Sequence, residues 1–271
     1  MISLGKIKIH IGFFVLIIFS FFYGNILDIT LAFIAVTIHE LSHIIVSYFL
    51  GGNFSEIIIT PVGQNVKINN FWSLSPIERI LILVSGPFSN IIICFLLLFF
   101  INVFETFKYN YIFLKFSYIN MIYAIFNFIP ILPLDGGNIL YSVISRKYGV
   151  IRVAKFMTNI EGIFGFVLMI FGIVQVIFYP FNISFLIIGS FFFFSKRKEY
   201  LERISDFYIL VVNKDRDYYK RPMRIRNILY SGDYRNVLKY FNYDDYFYVY
   251  IRCEDGFILR RNMEEILNEI I

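Results

Sequence analysis

Two histidines and a glutamate stand close together in the otherwise apolar stretch AVTIHELSHIIVSYF, residues 35–49. His39 and His43 are four residues apart, so on a helix both imidazoles project from one face and can bind a single metal ion. Glu40 follows the first histidine directly, which places it beside that ion as a base for an activated water rather than as a ligand. This H-E-x-x-H spacing is typical of zinc hydrolases. The pattern therefore predicts metal-assisted hydrolysis within an apolar segment.

A polar cluster that only holds helices together is the alternative for the same residues. An acidic residue at the centre of a membrane helix costs about 2.5–3.5 kcal/mol on insertion scales, so Glu40 needs either a partner or a function. The chain has only three histidines, and two of them fall in the motif, which favours the metal site. The third, His10, stands at the start of an apolar segment and is interpreted as an interfacial residue.

A catalytic zinc ion takes three protein ligands and keeps one position open. Because no further histidine is available, the candidate third ligand is Asp135, in NFIPILPLDGGNIL at residues 127–140. Two prolines and two glycines around it prevent a regular helix, and a broken helix in a membrane is tolerated where it lines a cavity. A role for Asp135 as the N-cap of the following helix is the alternative, and it does not exclude metal binding.

The elements that must position these residues are membrane helices. The chain has 271 residues, of which 58% are hydrophobic and 17% charged, well below the roughly 25% of a soluble domain. Six apolar segments are long enough to be considered as spans, the first of them uncleaved; they are residues 9–25, 29–50, 77–104, 110–134, 158–179 and 181–195. We therefore predict an all-α polytopic membrane protein with about six transmembrane helices.

The positions of the basic residues predict the orientation of these spans. Most lysines and arginines near the spans would lie on one side, which the positive-inside rule assigns to the cytoplasm together with both termini. The net charge of +5 is explained by these flanking residues, and no recognition motif accompanies it, so we expect no nucleic-acid partner. The two cysteines, Cys94 in a span and Cys253 in the polar tail, are not expected to form a disulfide.

Two further regions are not membrane helices. Residues 53–70 are rich in β-branched side chains around a Pro-Val-Gly turn, which predicts a membrane-associated β-hairpin. The tail YFYVYIRCEDGFILRRNMEEILNEII predicts strand, turn, strand and helix in a small α/β domain. The predicted organisation is a membrane-embedded domain at 1–195 with its core at 29–140, a linker at 196–221, and a cytoplasmic domain at 222–271.

Three motifs in successive spans resemble those of the site-2 protease family of intramembrane metalloproteases. They are HELSH at 39–43, GPFSN at 86–90 and NFIPILPLDGG at 127–137. The resemblance implies a three-helix catalytic core, one zinc ion held by His39, His43 and Asp135, and Glu40 as the catalytic acid and base. Asn127 and Asn90 would bind the substrate backbone or stabilise the oxyanion, with helix–helix hydrogen bonding as the alternative for both.

A helical substrate must unwind before it is cut, because its peptide bonds are already hydrogen-bonded. The hairpin at 53–70 offers an edge to which the unwound substrate can add as a strand, and a surface loop is the alternative for that segment.

The six-span plan and the short tail resemble the sporulation branch of this family. That resemblance implies cleavage of the membrane-tethered precursor of sigma-K, inhibition by other membrane proteins, and a location in the mother-cell membrane around the forespore. It also implies that the tail at 222–271 is a CBS-like regulatory domain that binds ATP or another nucleotide. A homo-oligomer is left open.

The same residues allow a different substrate or a different class of protein. Another membrane-bound regulator, such as an anti-sigma factor, is the alternative substrate. An ion transporter does not explain the spacing of three ligands and a base, and Glu40 argues against a non-catalytic zinc scaffold.

Overall fold

A computed structural model describes residues 2–22, 26–60, 63–69, 71–103, 110–178, 183–212, 224–230, 234–252 and 258–270. These residues form a mostly helical protein with two small sheets. The chain divides into two compact units. The first unit comprises residues 1–69, 80–130 and 134–136, and the second comprises residues 70–79, 131–133 and 137–271.

The first unit combines a four-stranded sheet with helices. Its elements are β1 (Ile2–Leu4), β2 (Ile7–Ile9), α1 (Ile11–Phe22), α2 (Ile26–Phe49), β3 (Asn53–Thr60), β4 (Gly63–Asn69), most of α3 (Pro76–Val103) and α4 (Asn110–Asn127). The sheet order is β1-β2-β3-β4, with β2 parallel to β3 and the other pairs antiparallel.

The two strands of the predicted hairpin at 53–70 are confirmed as β3 and β4, and they are half of a larger sheet. The Pro-Val part of the predicted turn, at 61–62, lies outside the described residues. β1 and β2 were missed because three residues are too few to show a strand periodicity. The first predicted span, at roughly 9–25, is helical from Ile11, because Ile9 still belongs to β2. Lys8 of β2 forms an ion pair with Glu56 of β3, which explains a lysine between two apolar residues.

Each of the six predicted apolar segments overlaps a helix of the described chain. Three of these helices, α2, α3 and α6 (Val150–Phe178), are long and apolar enough to cross a membrane. α1 has only 12 residues, which corresponds to about 18 Å and falls short of a hydrocarbon core of about 30 Å. α4 ends at Asn127, so the fourth segment is helical for 18 residues and not to residue 134. The count of six spans stays a prediction.

The second unit joins helices to the tail. Besides the start of α3 and a short 3₁₀ turn at 71–73, it contains most of α5 (Asp135–Tyr148), α6, α7 (Ser184–Val212), β5 (Arg224–Tyr230), a 3₁₀ segment at 234–240, β6 (Asp245–Arg252), β7 (Ile258–Asn262) and α8 (Met263–Ile270). A single residue, Gly149, separates α5 from α6, and its φ of 84° is one that favours glycine.

Glycines bring α6 and α7 into close antiparallel contact. A Cβ added to Gly165 would come within 2.7 Å of the carbonyl oxygen of Gly189, and one added to Gly172 would come within 2.6 Å of the amide nitrogen of Leu186. Small residues at such positions let two helix backbones approach in a membrane, where packing rather than the hydrophobic effect drives association.

The strand, strand and helix predicted for the tail are confirmed as β6, β7 and α8. The predicted turn at 254–256 lies outside the described residues. β5 was missed, and it pairs with β6 in parallel, so the sheet order is β5-β6-β7. The stretch predicted as a linker is helical as far as Val212, because α7 continues past residue 195. The division at 195 and 222 and the CBS-like fold stay predictions.

Aromatic rings and buried charges form the core of the second unit. Trp72 stacks on Tyr243 with ring centroids 4.3 Å apart, and the Tyr243 hydroxyl lies 3.1 Å from that of Tyr141. Burial raises the pKa of Tyr141 to about 12, so this phenol stays neutral at physiological pH. Arg79, fully buried, forms an ion pair with Asp244. We call these five residues the aromatic-arginine cluster.

Candidate metal centre

One face of α2 carries both histidines of the motif into the interior of the first unit. Buried residues recur at every fourth position of this helix, namely Leu31, Ala35, His39, His43 and Ser47. Because residues four apart lie on one face of a helix, the two imidazoles lie on successive turns and meet edge to face, with ring centroids 4.8 Å apart. Only 1% of His39 and 7% of His43 is exposed.

The carboxylate of Asp135 meets both imidazoles. Its Oδ2 atom lies 2.9 Å from Nε2 of His39 and 3.4 Å from Nε2 of His43. One ligand atom from each of the three residues lies within 4.8 Å of the other two. The structure thus brings together the three residues that the sequence analysis proposed as ligands.

The local chain around Asp135 explains its position. α4 ends at Asn127, the next seven residues are irregular, and α5 begins with Asp135 itself. A Cβ on Gly136 would collide with the backbone carbonyl of Phe128, so the returning chain fits against α5 only because this residue is glycine. The break that the prolines and glycines predicted is therefore the feature that carries Asp135 to the histidines.

Contacts on the far side of each imidazole fix which nitrogen carries the proton. Nδ1 of His43 lies 2.7 Å from the carbonyl oxygen of Ile82, which only accepts hydrogen bonds, so this nitrogen is the donor. Nδ1 of His39 lies 2.8 Å from the side-chain oxygen of Asn90. The Asn90 amide nitrogen donates to Ala35 and Asn120, which establishes that its oxygen faces His39.

With both Nδ1 atoms donating, each imidazole in its neutral form directs the Nε2 lone pair toward Asp135. Three acceptor atoms that face one another repel unless a cation lies among them. Two neutral imidazoles and a carboxylate, each imidazole held from behind by a hydrogen bond, are a typical donor set for zinc. The nitrogen–oxygen separations of 2.9 and 3.4 Å are close to the roughly 3.3 Å between ligand atoms around a tetrahedral zinc ion. The residues present therefore fit this metal.

Gly86 of α3 lies against both imidazoles. A Cβ at this position would be 2.6 Å from Nε2 of His39 and would collide with Nε2 of His43. Only glycine leaves the space next to the imidazoles free at this point of the helix. The glycine of the GPFSN motif is thus explained, because the absence of a side chain leaves space for an ion beside the imidazoles.

Glu40 lies next to the histidines but faces another neighbour. Its Oε2 accepts a hydrogen bond of 3.1 Å from the backbone amide of Val66 in β4. A second contact joins the same two elements, because the Gln64 amide donates to the Thr37 hydroxyl at 2.8 Å. β4 is an edge strand of its sheet, so these contacts lie on an edge that carries no further strand among the described residues.

Asn90 and Asn127, predicted to contact substrate, have different surroundings. Asn90 is fully buried, and both its amide group and its oxygen are engaged by protein atoms. Asn127, which is 7% exposed, donates to the carbonyl oxygen of Tyr123 at 3.0 Å. His10 is exposed at the start of α1, where its Nδ1 accepts a hydrogen bond from the amide of Gly12.

Two polar neighbours of the site were missed by the sequence analysis. Asn120 of α4 is fully buried and accepts a hydrogen bond from Asn90. The ring of Tyr123 stands edge-on to His39 with ring centroids 5.0 Å apart. A buried asparagine in an apolar span is itself a signal of a polar partner, and this signal was available from the sequence of α4.

Comparisons with known proteins find similarity to one peptidase family. The profile of Peptidase family M50 matches residues 29–111 and 105–172. A zinc metalloprotease of Methanocaldococcus jannaschii is 29% identical over 171 residues, which are 62% of this chain and 48% of that protein. Stage IV sporulation protein FB of Bacillus subtilis is 23% identical over 142 residues, which are 52% of this chain and 49% of that protein. The chain thus matches about half the length of each of these relatives.

A solved structure is also similar. The site-2 protease from Methanocaldococcus jannaschii superposes with a TM-score of 0.60 and 27% sequence identity, over 74% of this chain and 94% of that one.

Proposed function

The chain belongs to peptidase family M50, and from this premise we propose that it is a zinc metalloendopeptidase that cleaves a membrane-tethered protein. The observation that carries the proposal is the convergence of His39, His43 and Asp135 beside Glu40 on helices of an apolar protein. The zinc metalloprotease and site-2 protease similarities support it.

Zinc, when bound, polarises a peptide carbonyl and lowers the pKa of water toward neutrality. His39, His43 and Asp135 would hold it, and the hydrogen bonds from the two Nδ1 atoms keep the imidazoles oriented. The Glu40 carboxylate accepts the proton of the water whose oxygen adds to the scissile carbonyl carbon. It then gives that proton to the nitrogen of the leaving amine as the carbon–nitrogen bond breaks.

The contact between Glu40 and Val66 supports a role for the edge of β4 in substrate binding. An unwound substrate that adds as a strand to this edge would take hydrogen bonds from its outward-facing amides. The amide of Val66 is one of them, and it already donates to Glu40. Substrate addition would therefore release the Glu40 oxygen at the moment when the peptide arrives, so binding and activation of the base are coupled.

The two asparagines are proposed to have different roles. The oxygen and the amide nitrogen of Asn90 both form hydrogen bonds with protein atoms. We therefore propose that Asn90 orients the imidazole of His39 and does not contact substrate. Asn127 lies at the end of α4, directly before the irregular segment that leads to Asp135. It remains the proposed donor to the oxyanion or to the substrate backbone.

The similarity to stage IV sporulation protein FB supports a role in sporulation. On that basis the proposed substrate is the sigma-K precursor, and an anti-sigma factor or other membrane-bound regulator is the alternative. A multi-pass protein with both termini in the cytoplasm, a place in the mother-cell membrane, inhibitory membrane-protein partners and nucleotide binding by the tail belong to the same proposal.

Co-expression with a tagged sigma-K precursor tests the proposal. We expect the wild type to cleave it, and we expect Glu40→Gln to retain zinc while losing cleavage by a factor of about 10²–10⁴. Glu202→Gln on the exposed side of α7 is the matched control and should cleave like the wild type. Cleavage that persists in Glu40→Gln would overturn the role of the base. A wild type that binds zinc but leaves this precursor intact would overturn the substrate alone.

A further inference from the structure

A groove runs between α6 and α7 in the second unit, and one end of it is polar. This end encloses about 320 Å³. Its lining residues are Lys155, Thr158, Asn159, Lys196, Arg197 and Tyr200. Three of these six side chains are cationic and none is acidic, so the polar end is a concentrated positive site with hydroxyl and amide groups between the charges.

Among the described residues, no carboxylate lies within ion-pair distance of the groove's cations, although Glu161 interacts with Lys196 over a longer distance. Over the part of the chain that the structure describes, neither Lys155 nor Lys196 nor Arg197 forms an ion pair. The nearest acidic residue on α6, Glu161, is fully buried, does not line the groove, and accepts a hydrogen bond from Ser195. The charge balance of the site is therefore left to a ligand or to solvent.

The groove continues from the polar end into an apolar channel. The channel has a volume of about 420 Å³ and shares Asn159 and Lys196 with the polar end. Its other lining residues are Gly162, Ile163, Phe166 and Phe193. Ile163 and Phe166 are 64% and 53% exposed, so this part is open along its length.

Gly162 shapes the junction between the two ends. A Cβ at this position would come within 2.7 Å of Cδ of Lys196. The glycine therefore lets the aliphatic stem of Lys196 lie against α6, while the ammonium group lies 4.8 Å from the centre of the Phe193 ring. The lysine thus belongs to both ends, apolar along its stem and cationic at its head.

The polar end lies where two apolar helices become charged. α6 carries no charged residue after Glu161, and α7 is apolar from Ser184 to Phe194 and then continues with KRK at 196–198. Basic residues at such a boundary are placed at the level of lipid headgroups. The change from cationic to apolar along the groove is the same change that a phospholipid shows from phosphate to acyl chain.

We propose that this groove binds an anionic phospholipid, with the headgroup phosphate at Lys155, Lys196 and Arg197 and an acyl chain against Ile163, Phe166 and Phe193. Basic pockets between membrane helices are suited to anionic headgroups. A free phosphate would leave the apolar channel unused, and a zwitterionic lipid would leave the positive charge of the site uncompensated. The proposal is independent of proteolytic activity.

Native mass spectrometry of the purified full-length chain in detergent tests this site. The probes are phosphatidylglycerol and phosphatidylcholine with identical acyl chains, together with glycerophosphoglycerol, which has the headgroup without acyl chains. We expect one phosphatidylglycerol to bind at least about tenfold more tightly than the other two, since each basic side chain near an anionic headgroup contributes about a factor of five.

Paired variants separate the groove from general surface charge. Lys155→Gln/Lys196→Gln should lose roughly 10- to 30-fold in affinity for phosphatidylglycerol. Arg152→Gln/Lys198→Gln removes the same charge from the same two helices outside the groove and should change the affinity by less than about twofold. Ile163→Ser/Phe166→Ser should weaken the binding of phosphatidylglycerol and leave the binding of glycerophosphoglycerol unchanged.

Three results would overturn the proposal. Equal binding of phosphatidylglycerol and phosphatidylcholine would mean that the charges do not select the headgroup. If Lys155→Gln/Lys196→Gln and Arg152→Gln/Lys198→Gln lost equal affinity for phosphatidylglycerol, the effect would be one of general surface charge. Glycerophosphoglycerol binding as tightly as the intact lipid would make this a site for a free phosphate ester.

Discussion

The metal centre of the first unit and the aromatic-arginine cluster of the second both bury polar groups, but they do so in opposite ways. At the metal centre three acceptor atoms converge, and the groups that satisfy the imidazoles lie behind them. In the cluster each charge faces an opposite charge, as Arg79 faces Asp244. A site whose like atoms converge needs a ligand, whereas a site whose charges are paired is complete in itself.

This difference separates function from stability within one chain. Arg79 donates from Nε to the carbonyl oxygen of Leu74, and Asp244 also lies 3.2 Å from Nε of Arg146. These contacts hold polypeptide segments together, and none of them points toward a common empty position. The metal centre keeps such a position free through Gly86. The comparison predicts that equivalent substitutions in the two places have different consequences.

The largest effect is expected from one substitution made in both places. Asp135→Asn removes a charged ligand, so we expect cleavage to be lost and zinc affinity to fall by more than about 100-fold. This fall exceeds the roughly 10- to 100-fold loss that follows when a hydrogen bond behind a ligand is removed. Asp244→Asn should retain one zinc per chain and lose stability instead. Zinc analysis and thermal unfolding of both variants measure the contrast. If Asp135→Asn and Asp244→Asn lost zinc to a similar extent, the distinction between a metal-binding site and a structural cluster would not hold.

Breaking the buried ion pair should have the next largest effect. Arg79→Met removes the fully buried cation that faces Asp244 and leaves the half-exposed Arg146 beside it, so we expect unfolding to become easier by about 3–5 kcal/mol. The double variant Arg79→Met/Asp244→Leu should recover at least half of this loss, because neither buried charge of the pair remains and Arg146 is half exposed to solvent. Denaturant unfolding followed by circular dichroism checks this. If the double variant were less stable than Arg79→Met, the pair would not act as a unit.

A smaller effect is expected from the outer contact of His39. Asn90→Leu removes the oxygen that accepts the Nδ1 hydrogen, so zinc affinity should fall by about 10- to 100-fold without loss of fold. Asn120→Leu removes only the hydrogen-bond partner of Asn90, so it should lower zinc affinity by a smaller factor. Competition with a chelator of known affinity measures both. If the Asn90→Leu protein bound zinc normally but cleaved poorly, Asn90 would be assigned to substrate binding instead.

The smallest effect is expected at the edge of β4. Val66→Pro removes one amide hydrogen, and if substrate pairs there KM should rise about fivefold, the value of one hydrogen bond, while kcat is unchanged. Val66→Ala keeps the amide and is the control. Proline is tolerated at an edge where its nitrogen is outside the ladder. A fall in kcat with unchanged KM would instead assign this amide to the positioning of Glu40.

The metal centre was predictable because its chemistry imposes a short spacing. His39, Glu40 and His43 could be read directly from one helical turn, and Asp135 followed from the need for a third ligand in a broken helix. The orientation of Asn90 was not predictable, since the same asparagine can face a substrate or an imidazole. Its direction depends on Asn120, which lies 30 residues farther along the chain.

The second unit was far less predictable. Arg79 and Asp244 are 165 residues apart, and no periodicity connects them. The continuation of α7 to Val212 was missed because the helix changes from apolar to charged at residue 196, and a composition change resembles a domain boundary. β5 was missed because its partner in the sheet, β6, is parallel to it and so is not joined to it by a hairpin turn.

The stacking of Trp72 on Tyr243 has an optical consequence, because this chain contains a single tryptophan. Light absorbed by indole but not by phenol excites only this residue, so its emission comes entirely from the aromatic-arginine cluster. Release of the tail segment that carries Tyr243 would expose the indole to water and shift the emission to longer wavelength. The chain therefore contains its own reporter of tail docking, which requires no label and contains no signal from the metal centre.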